Sequence, residues 1–376
     1  MRVCHITTVH PAEDARIFYR MCSGLAQRDV SVVLVAPAEA RTDSPVRMSR
    51  WNTRIGRAGR LSRIVLALRA ALDERADVYH FHDPELIPLG LALKALRPTS
   101  AVVYDVHEDY PSMMLEKYWL PRWTRGAIAR AARVANWMAG RFLDGIVTAD
   151  PGVEQDFRTG AGDRTLVYYN FPVPRLFAEG PADPAGPKVD LVYIGGMSAR
   201  AGTFVLLDAL TVLAAQGIRP TVRLAGYTDG EAGRLAVQTG IQSRRLEGQV
   251  EIRGRIPHSK VPAWIRSGRI GLVTLQPIPK FMKNIPSKMF EYWACGLPVV
   301  AGDLPPIGQF LVDGQNGLLF SPASAEDLAR VIRRLLDHPE DVETMGHQAR
   351  RLVQETWNND QQVEGLIRFY RRIHRS

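Results

Sequence analysis

Cysteine is scarce in this chain: three residues in 376, at Cys4, Cys22 and Cys295. Thiols so few and so scattered exclude a disulfide framework or a zinc site, and they point to a reducing compartment. No stretch approaches the ~20 apolar residues that a membrane span needs. Residues 2–8 are apolar but short, with no cleavage-like site following, so they read as a buried strand and not as a signal peptide. The first strand runs on into TTVHPAED and lacks the Gly-x-Gly-x-x-Gly that lets backbone approach a pyrophosphate, so a dinucleotide oxidoreductase fits poorly. No Asp-x-Asp is present to hold a cation on a diphosphate, so neither a metal nor a cofactor is implied.

What remains is globular usage, 46% hydrophobic and 23% charged. At about 150 residues per domain the length suggests two domains. Lys and Arg total 48 against 39 Asp and Glu, a net charge of +9, which favours an anionic partner: nucleotide diphosphate, nucleic acid or acidic lipid. Nucleic acid is disfavoured, because the basic residues are spread out with no accompanying motif. The expected location is cytoplasmic, with contact at the inner face of a membrane left open.

Short β-branched runs alternate with helical stretches throughout, the pattern of parallel α/β sheets. The first half offers strands at 2–8, 31–36, 78–82, 101–106 and 145–149, with helices at 14–27 and 61–74 between them. The second half offers strands at 191–195, 221–226, 250–254, 270–275 and 297–302, with helices at 203–215, 259–266, 286–295 and 324–336. Residues 170–188 carry five prolines and no regular period, as a hinge-like linker would. The expected fold is therefore α/β, two Rossmann-like domains facing across a cleft. Ligands bind at the carboxyl ends of parallel strands, so that cleft is the expected site.

The densest chemistry lies at 280–302. Pro286 suits the first turn of a helix and Gly296 its end, with Pro298 just beyond. Free N–H groups near 286–288, at Ser287 in particular, would bind an anion. Lys288 and Glu291 stand three apart and share a helix face. A carboxylate there can accept hydrogen bonds from a ribose diol, and an ammonium beside it can neutralise a diphosphate. An ordinary surface ion pair would look the same in sequence.

From FEYWACGLPVVAGD (290–303) through IGQFLVDGQNGLLFSP (307–322) and SAEDLARVIRRLL (324–336), the chain resembles the donor-binding region of retaining glycosyltransferases with the GT-B fold, most closely family 4, the group 1 type. HPAEDARIFYRMCSGLAQRDVSVVLVAP, HFHDPELIPLG and VVYDVHEDYP in the N-terminal half, and VYIGGMSARAG at 192–202, extend the resemblance over most of the chain in the right order. It implies an acceptor-binding domain over 1–172, a nucleotide-sugar-binding domain over 173–355, and a helix over 356–376 that packs back on the N-terminal domain. It also implies a nucleotide-diphosphate sugar donor and a glycan, lipid-linked or small-molecule acceptor.

Residue by residue, the resemblance assigns Glu291 to the donor ribose, as the last acid of a Glu-x7-Glu pair. The first acid falls at Lys283, so the pair is broken, and Asn284 or the backbone at Ile285 is left to take its place. Gly195 and Gly196 lie in the matching phosphate-loop strand, where the family's usual Arg reads Gly196 and its usual Lys reads Ala201. Arg200, Lys283 and Lys288 remain to stabilise a leaving diphosphate. His107, at the end of strand 101–106, matches the histidine placed near the donor sugar. Asp14 and Arg16 are assigned to the acceptor side. So is His82, for which a structural turn role is an equal reading.

Residues 117–141 carry Lys117, Arg122, Arg125, Arg130, Arg133 and Arg141 with Trp119, Trp123 and Trp137 interleaved, and no acid from 119 to 141. Such a helix either lies on an anionic membrane surface or turns its tryptophans into the domain. Taken together, the sequence points to a retaining, metal-independent transferase in polysaccharide or glycoconjugate assembly. A nucleotide-sugar epimerase on the same fold, or a nucleotide-binding module that has lost its chemistry, stands as the alternative.

Overall fold

The structure, a computed structural model, describes residues 1–37, 44–50, 59–116, 120–177, 180 and 188–374. The chain forms two compact units, Met1–Asn170 with Asn359–Ser376, and Phe171–Asn358.

In the first unit a parallel sheet takes the order β3-β2-β1-β4-β5-β6-β7. Its strands are β1 (Arg2–Ile6), β2 (Ser31–Ala36), β3 (Arg47–Arg50), β4 (Val78–Phe81), β5 (Ala101–Val106), β6 (Gly145–Thr148) and β7 (Thr165–Val167). The strands β1, β2, β4, β5 and β6 are buried almost end to end, because helices cover both faces; this is why they read as continuous apolar runs without alternation. The order turns between β1 and β4, so their carboxyl ends flank the crevice where α/β sheets bind ligands.

The helix following β1 opens with a wide turn, Ala15–Cys22, in which the Tyr19 N–H reaches back to the Asp14 carbonyl at 3.2 Å. Asp14 caps it: its side chain accepts from the backbone N–H of Arg16 at 2.8 Å and of Ile17 at 3.0 Å.

The long helical stretch at the C-terminus is two helices, Pro339–Glu355 and Asn359–His374. The break comes where the Asn358 amide donates to the carbonyls of Val353 and Gln354 and so caps the first helix. The last helix belongs to the first unit, as expected. Val363, Leu366, Ile367, Phe369, Tyr370 and Ile373 bury into the core beneath β1 and β5, each side chain worth about 1.5–3 kcal/mol of transfer energy. Gly24 has no room for a side chain because Val363 lies against it, and Tyr168 donates from its hydroxyl to Asn359 at 2.7 Å.

The second unit carries a parallel sheet ordered β10-β9-β8-β11-β12-β13. These are β8 (Val189–Met197), β9 (Val222–Thr228), β10 (Val250–Arg253), β11 (Gly268–Val273), β12 (Val299–Gly302) and β13 (Gly317–Phe320). Here the order turns between β8 and β11. The helices Thr203–Ala215, Gly230–Ser243 and Ala325–Asp337 cover one face around Leu206, Leu210, Leu328 and Ile332.

Part of the stretch read as a linker is anchored. Phe171, Val173 and Phe177 are buried, and the Phe171 ring meets Phe290 edge-on at 4.7 Å. Residues 178, 179 and 181–187 lie outside the described residues. Among the described residues no helix is long and apolar enough to cross a membrane.

Candidate active site

In the second unit the candidate site gathers where β8 ends. Helix Ser287–Ala294 follows the turn holding Lys283, Asn284 and Ile285, and no side chain caps its N-terminus, so its first N–H groups remain for an anion. Buried Tyr292 fixes the helix against the sheet. Its hydroxyl accepts from the Ile194 N–H at 2.9 Å, and Gly271 leaves space for its ring. Trp293 ties the far side, donating to the Asn316 carbonyl at 2.8 Å.

On this helix Glu291 is buried, and the Lys288 ammonium sits 3.8 Å from the centre of the Tyr193 ring, a cation–π contact. Removal from water lowers the Lys288 pKa to about 7, opposed by Glu291. Gly195 adopts φ +135°, and a side-chain carbon there would stand 3.3 Å from the Lys288 nitrogen. The glycine thus leaves the ammonium room at the strand end.

At Gly196 the neighbouring space is filled by Tyr227, whose ring carries Arg255 at 4.9 Å. Arg200 lies on the following turn, half exposed and 3.3 Å from Asp229. Gly202, at φ +74°, starts the next helix in van der Waals conflict with any side chain, since a Cβ would fall 1.8 Å from the Thr274 carbonyl oxygen.

The structure therefore brings Glu291, Lys288, Ser287, Gly195 and Gly196 together. It leaves Arg200 as a surface pair that a ligand would have to draw away from Asp229. Sequence reasoning missed Tyr193, Tyr227, Tyr292 and Arg255. The tyrosines look like ordinary strand and helix apolars, and only the third dimension places them beside the glycines.

In the first unit Asp105 is the hub. Arg16 grips it with two hydrogen bonds, Nε to Oδ2 at 2.9 Å and Nη2 to Oδ1 at 2.7 Å. The same Oδ2 accepts from His82 Nδ1 and lies 2.9 Å from His107 Nε2. Burial opposes the Asp105 charge, but Arg16 and the histidines hold its carboxyl well below the usual carboxylate range. With Nδ1 of His82 committed to Asp105, its Nε2 is the acceptor for His5 Nδ1, 2.9 Å away. His80 sits beside His5 in register across β1 and β4 and shares a hydrogen bond with the Tyr370 hydroxyl.

Burial pushes the pKa values of His5, His80 and His82 down. His10 lies over His107, ring centres 4.7 Å apart, between Asp14 at 3.4 Å and Asp83 at 3.5 Å. Burial works against its charge, and Asp14 and Asp83 carry its pKa upward.

Of the residues assigned to this half, His107 is the one partly open to solvent beside the hub. Arg16 and His82 are buried and act through Asp105, and Asp14 caps the helix that carries Arg16. Arg16 and His82 thus hold the hub from inside the unit, whereas Asp14 keeps part of its side chain exposed.

Among the described residues two groups could hold a metal ion by proximity, His5 with His80 and His82, and His82 with Asp105 and His107. In the first, His82 stacks nearly parallel to His5, at 14°, and lies 24° from the plane of His80. A cation must lie in the plane of every imidazole that binds it, so stacked rings suit a hydrogen-bonded ladder better than a coordination sphere.

This fold matches solved structures along nearly its whole length. Against HepE of Anabaena in complex with UDP and glucose, the TM-score is 0.74 at 17% identity, covering 98% of each chain. Against sucrose-phosphate synthase of Thermosynechococcus elongatus it is 0.74 at 18%, covering 99% of this chain and 98% of that one. The architecture is that of the GT-B glycosyltransferases.

Residues 15–171 match the family described as Glycosyltransferase Family 4, and residues 188–338 the family described as Glycosyl transferases group 1. The chain belongs to these group 1, family 4 glycosyltransferases. Among curated relatives, the alpha-D-kanosaminyltransferase of Streptomyces kanamyceticus is 26% identical over 49% of this chain and 45% of that protein, under half of its length. The glycogen synthase of Mycobacterium tuberculosis is 22% identical over 81% of this chain and 70% of that protein.

Proposed function

We propose that this chain transfers a sugar from a nucleotide-diphosphate sugar to an acceptor hydroxyl, with retention at the anomeric carbon and without a metal. One observation carries the reading: Lys288 and Glu291 project from a single uncapped helix beside the Gly195–Gly196 strand end. In this reading Glu291 binds the ribose diol. Lys288, the free N–H groups near Ser287, and Lys283 receive the diphosphate. Asn284 and Ile285 face the donor sugar where the family's first acid is missing, and Arg200 joins once drawn from Asp229.

The bond between the anomeric carbon and the diphosphate oxygen breaks, and its electron pair leaves with the diphosphate. The acceptor oxygen bonds to the same face of the carbon, and its proton passes to a leaving-phosphate oxygen. Preorganised positive charge at the departing diphosphate is what lowers the barrier. No side-chain nucleophile is assigned. By the family likeness the first unit is assigned the acceptor, and His107, held by Asp105, the role of the family's matching histidine.

The relatives whose names specify an activity build glycans or glycosides, and an amylovoran biosynthesis glycosyltransferase of Erwinia amylovora is among them, 27% identical over 45% of this chain. A role in polysaccharide or glycoconjugate assembly follows by likeness. The work is cytoplasmic, and at the inner membrane face where the acceptor is lipid-linked.

The test is release of nucleoside diphosphate from a panel of nucleotide sugars, with and without glycan and lipid-linked acceptors, followed by NMR of the product's anomeric centre. Acceptor-dependent release with a retained anomer supports the reading. An inverted product refutes retention, and acceptor-independent conversion to a second nucleotide sugar favours an epimerase.

A further inference from the structure

Helix Arg122–Phe142 is inside out by the usual rule for a surface helix. The face it turns to the domain is small: Ala129, Asn136, Ala139 and Gly140 are buried. Its largest side chains face water, with Trp123 86% exposed, Trp137 57%, Val134 52% and Phe142 50%, while Ile128 and Met138 are half-buried. The alternative in which the tryptophans turn inward is thus overturned for Trp123 and Trp137; Lys117 and Trp119 lie outside the described residues.

Positions 123, 127, 130, 134, 137 and 141 recur at the helical period, so Trp123, Arg130, Val134, Trp137 and Arg141 form one outward stripe. At 1.5 Å per residue the two tryptophans stand about 21 Å apart along it. Five arginines (122, 125, 130, 133 and 141) accompany them, and residues 119–141 contain no carboxylate. Arg130 and Arg133 line a surface hollow with Gly126, Val134 and Trp137.

We infer that this helix is a membrane-docking surface, lying in the headgroup layer of an anionic phospholipid bilayer. Indole rings favour that boundary, since the ring is apolar and its N–H seeks water or headgroup oxygen. The arginines match the charge of the leaflet, and the hollow between Arg130 and Arg133 admits a lipid phosphate. Trp123 and Trp137 stay exposed, Trp137 meeting only the equally exposed Phe142 edge-on among the described ring contacts, and exposed indoles with a one-signed field beside them are what such a surface needs.

The inference deepens the membrane part of the proposed function and is independent of transfer chemistry. The full chain is sedimented with vesicles of phosphatidylcholine alone, or with one third phosphatidylglycerol. The expected result is binding to the anionic vesicles only. Replacing Arg130→Gln and Arg133→Gln together should weaken it by roughly thirtyfold, at about 1 kcal/mol per arginine, and Trp123→Ala with Trp137→Ala by tenfold or more. Both pairs are exposed, so melting and nucleotide binding should stay as in the parent.

Loss of vesicle binding with nucleotide binding intact marks the helix as the docking face. No binding by the parent chain, binding that ignores both pairs, or preference for a duplex RNA over anionic vesicles would overturn the inference. None of these outcomes would touch the assignment of the donor site.

Discussion

The Tyr370 hydroxyl and His80 Nδ1 meet at 2.5 Å, joining the last helix to strand β4 across 290 residues of sequence. Both side chains are fully buried, and among the described residues His80 Nε2 has no hydrogen-bond partner. This bond is therefore the one polar tie that satisfies His80.

Removing it isolates a buried imidazole. Tyr370→Phe should cost about 1–3 kcal/mol, the usual penalty for an orphaned buried polar group. Urea unfolding followed in the first unit checks this, and an unchanged midpoint would show that the bond carries nothing. Deleting Asn359–His374 should be far worse, because six large side chains leave the core in one step.

Acid should loosen the same unit. His5, His80 and His82 titrate below their ordinary value in the folded state. The stability this reflects is fully present above about pH 6.5, the unfolded value, and falls as pH drops from there through the folded values. Each histidine contributes a slope of up to about 1.4 kcal/mol per pH unit in that window. Melting temperature recorded from neutral pH downward should decline from near pH 6.5, and more gently in His80→Phe. A flat profile down to the carboxylate range would contradict the burial argument.

Lys288 gives the opposite half a pH signature. Its pKa of about 7 in the unliganded site must rise when a diphosphate binds, because an adjacent anion favours the ammonium. Binding then takes up a proton, and affinity for UDP should fall as pH climbs above about 7, by up to tenfold per unit. Calorimetry in buffers of different ionisation enthalpy measures the uptake directly. Lys288→Met should bind more weakly and lose the dependence; equal proton uptake in parent and variant would place the titration elsewhere.

The backbone at Gly202 offers a steric test. A Cβ there would lie 1.8 Å from the Thr274 carbonyl oxygen, at a φ that side chains avoid. Gly202→Ala should destabilise the second unit by at least about 1–3 kcal/mol, the cost of one strained backbone site. A variant that melts with the parent would mean the turn relaxes freely.

Much of this was legible in sequence because parallel strands between covering helices leave long apolar runs. The strands with such runs were placed to within a few residues. Three were missed, β3 (RMSR), β7 (TLV) and β13 (GLLF); β3 is mostly polar and β7 is three residues long, so neither shows an apolar run. The spacing of Lys288 and Glu291 put both on one helix face, but it was the family resemblance that set them apart from an ordinary surface ion pair.

The Asp105 hub was not visible. Arg16 and Asp105 are 89 residues apart, and nothing in one strand announces that its aspartate faces an arginine from another element. For the same reason Arg16 read as an acceptor contact, where the fold makes it a buried clamp. The tryptophans of 122–142 could not be oriented from sequence, since small residues on the opposite face pack as well as large ones do.

The central claim is that Glu291 and Lys288 form a nucleotide-sugar site. It is tested most directly by thermal shift of the parent chain and Glu291→Ala with UDP, GDP, ADP and TDP in the absence of metal. A diphosphate at ~100 times its dissociation constant stabilises the fold by about 2.7 kcal/mol, a shift of a few degrees. The account predicts that one of them raises the parent's melting temperature and that the substitution abolishes the rise. An equal rise in parent and variant would contradict it, and no rise with any of the four would mean that the broken acid pair has cost the chain its donor site.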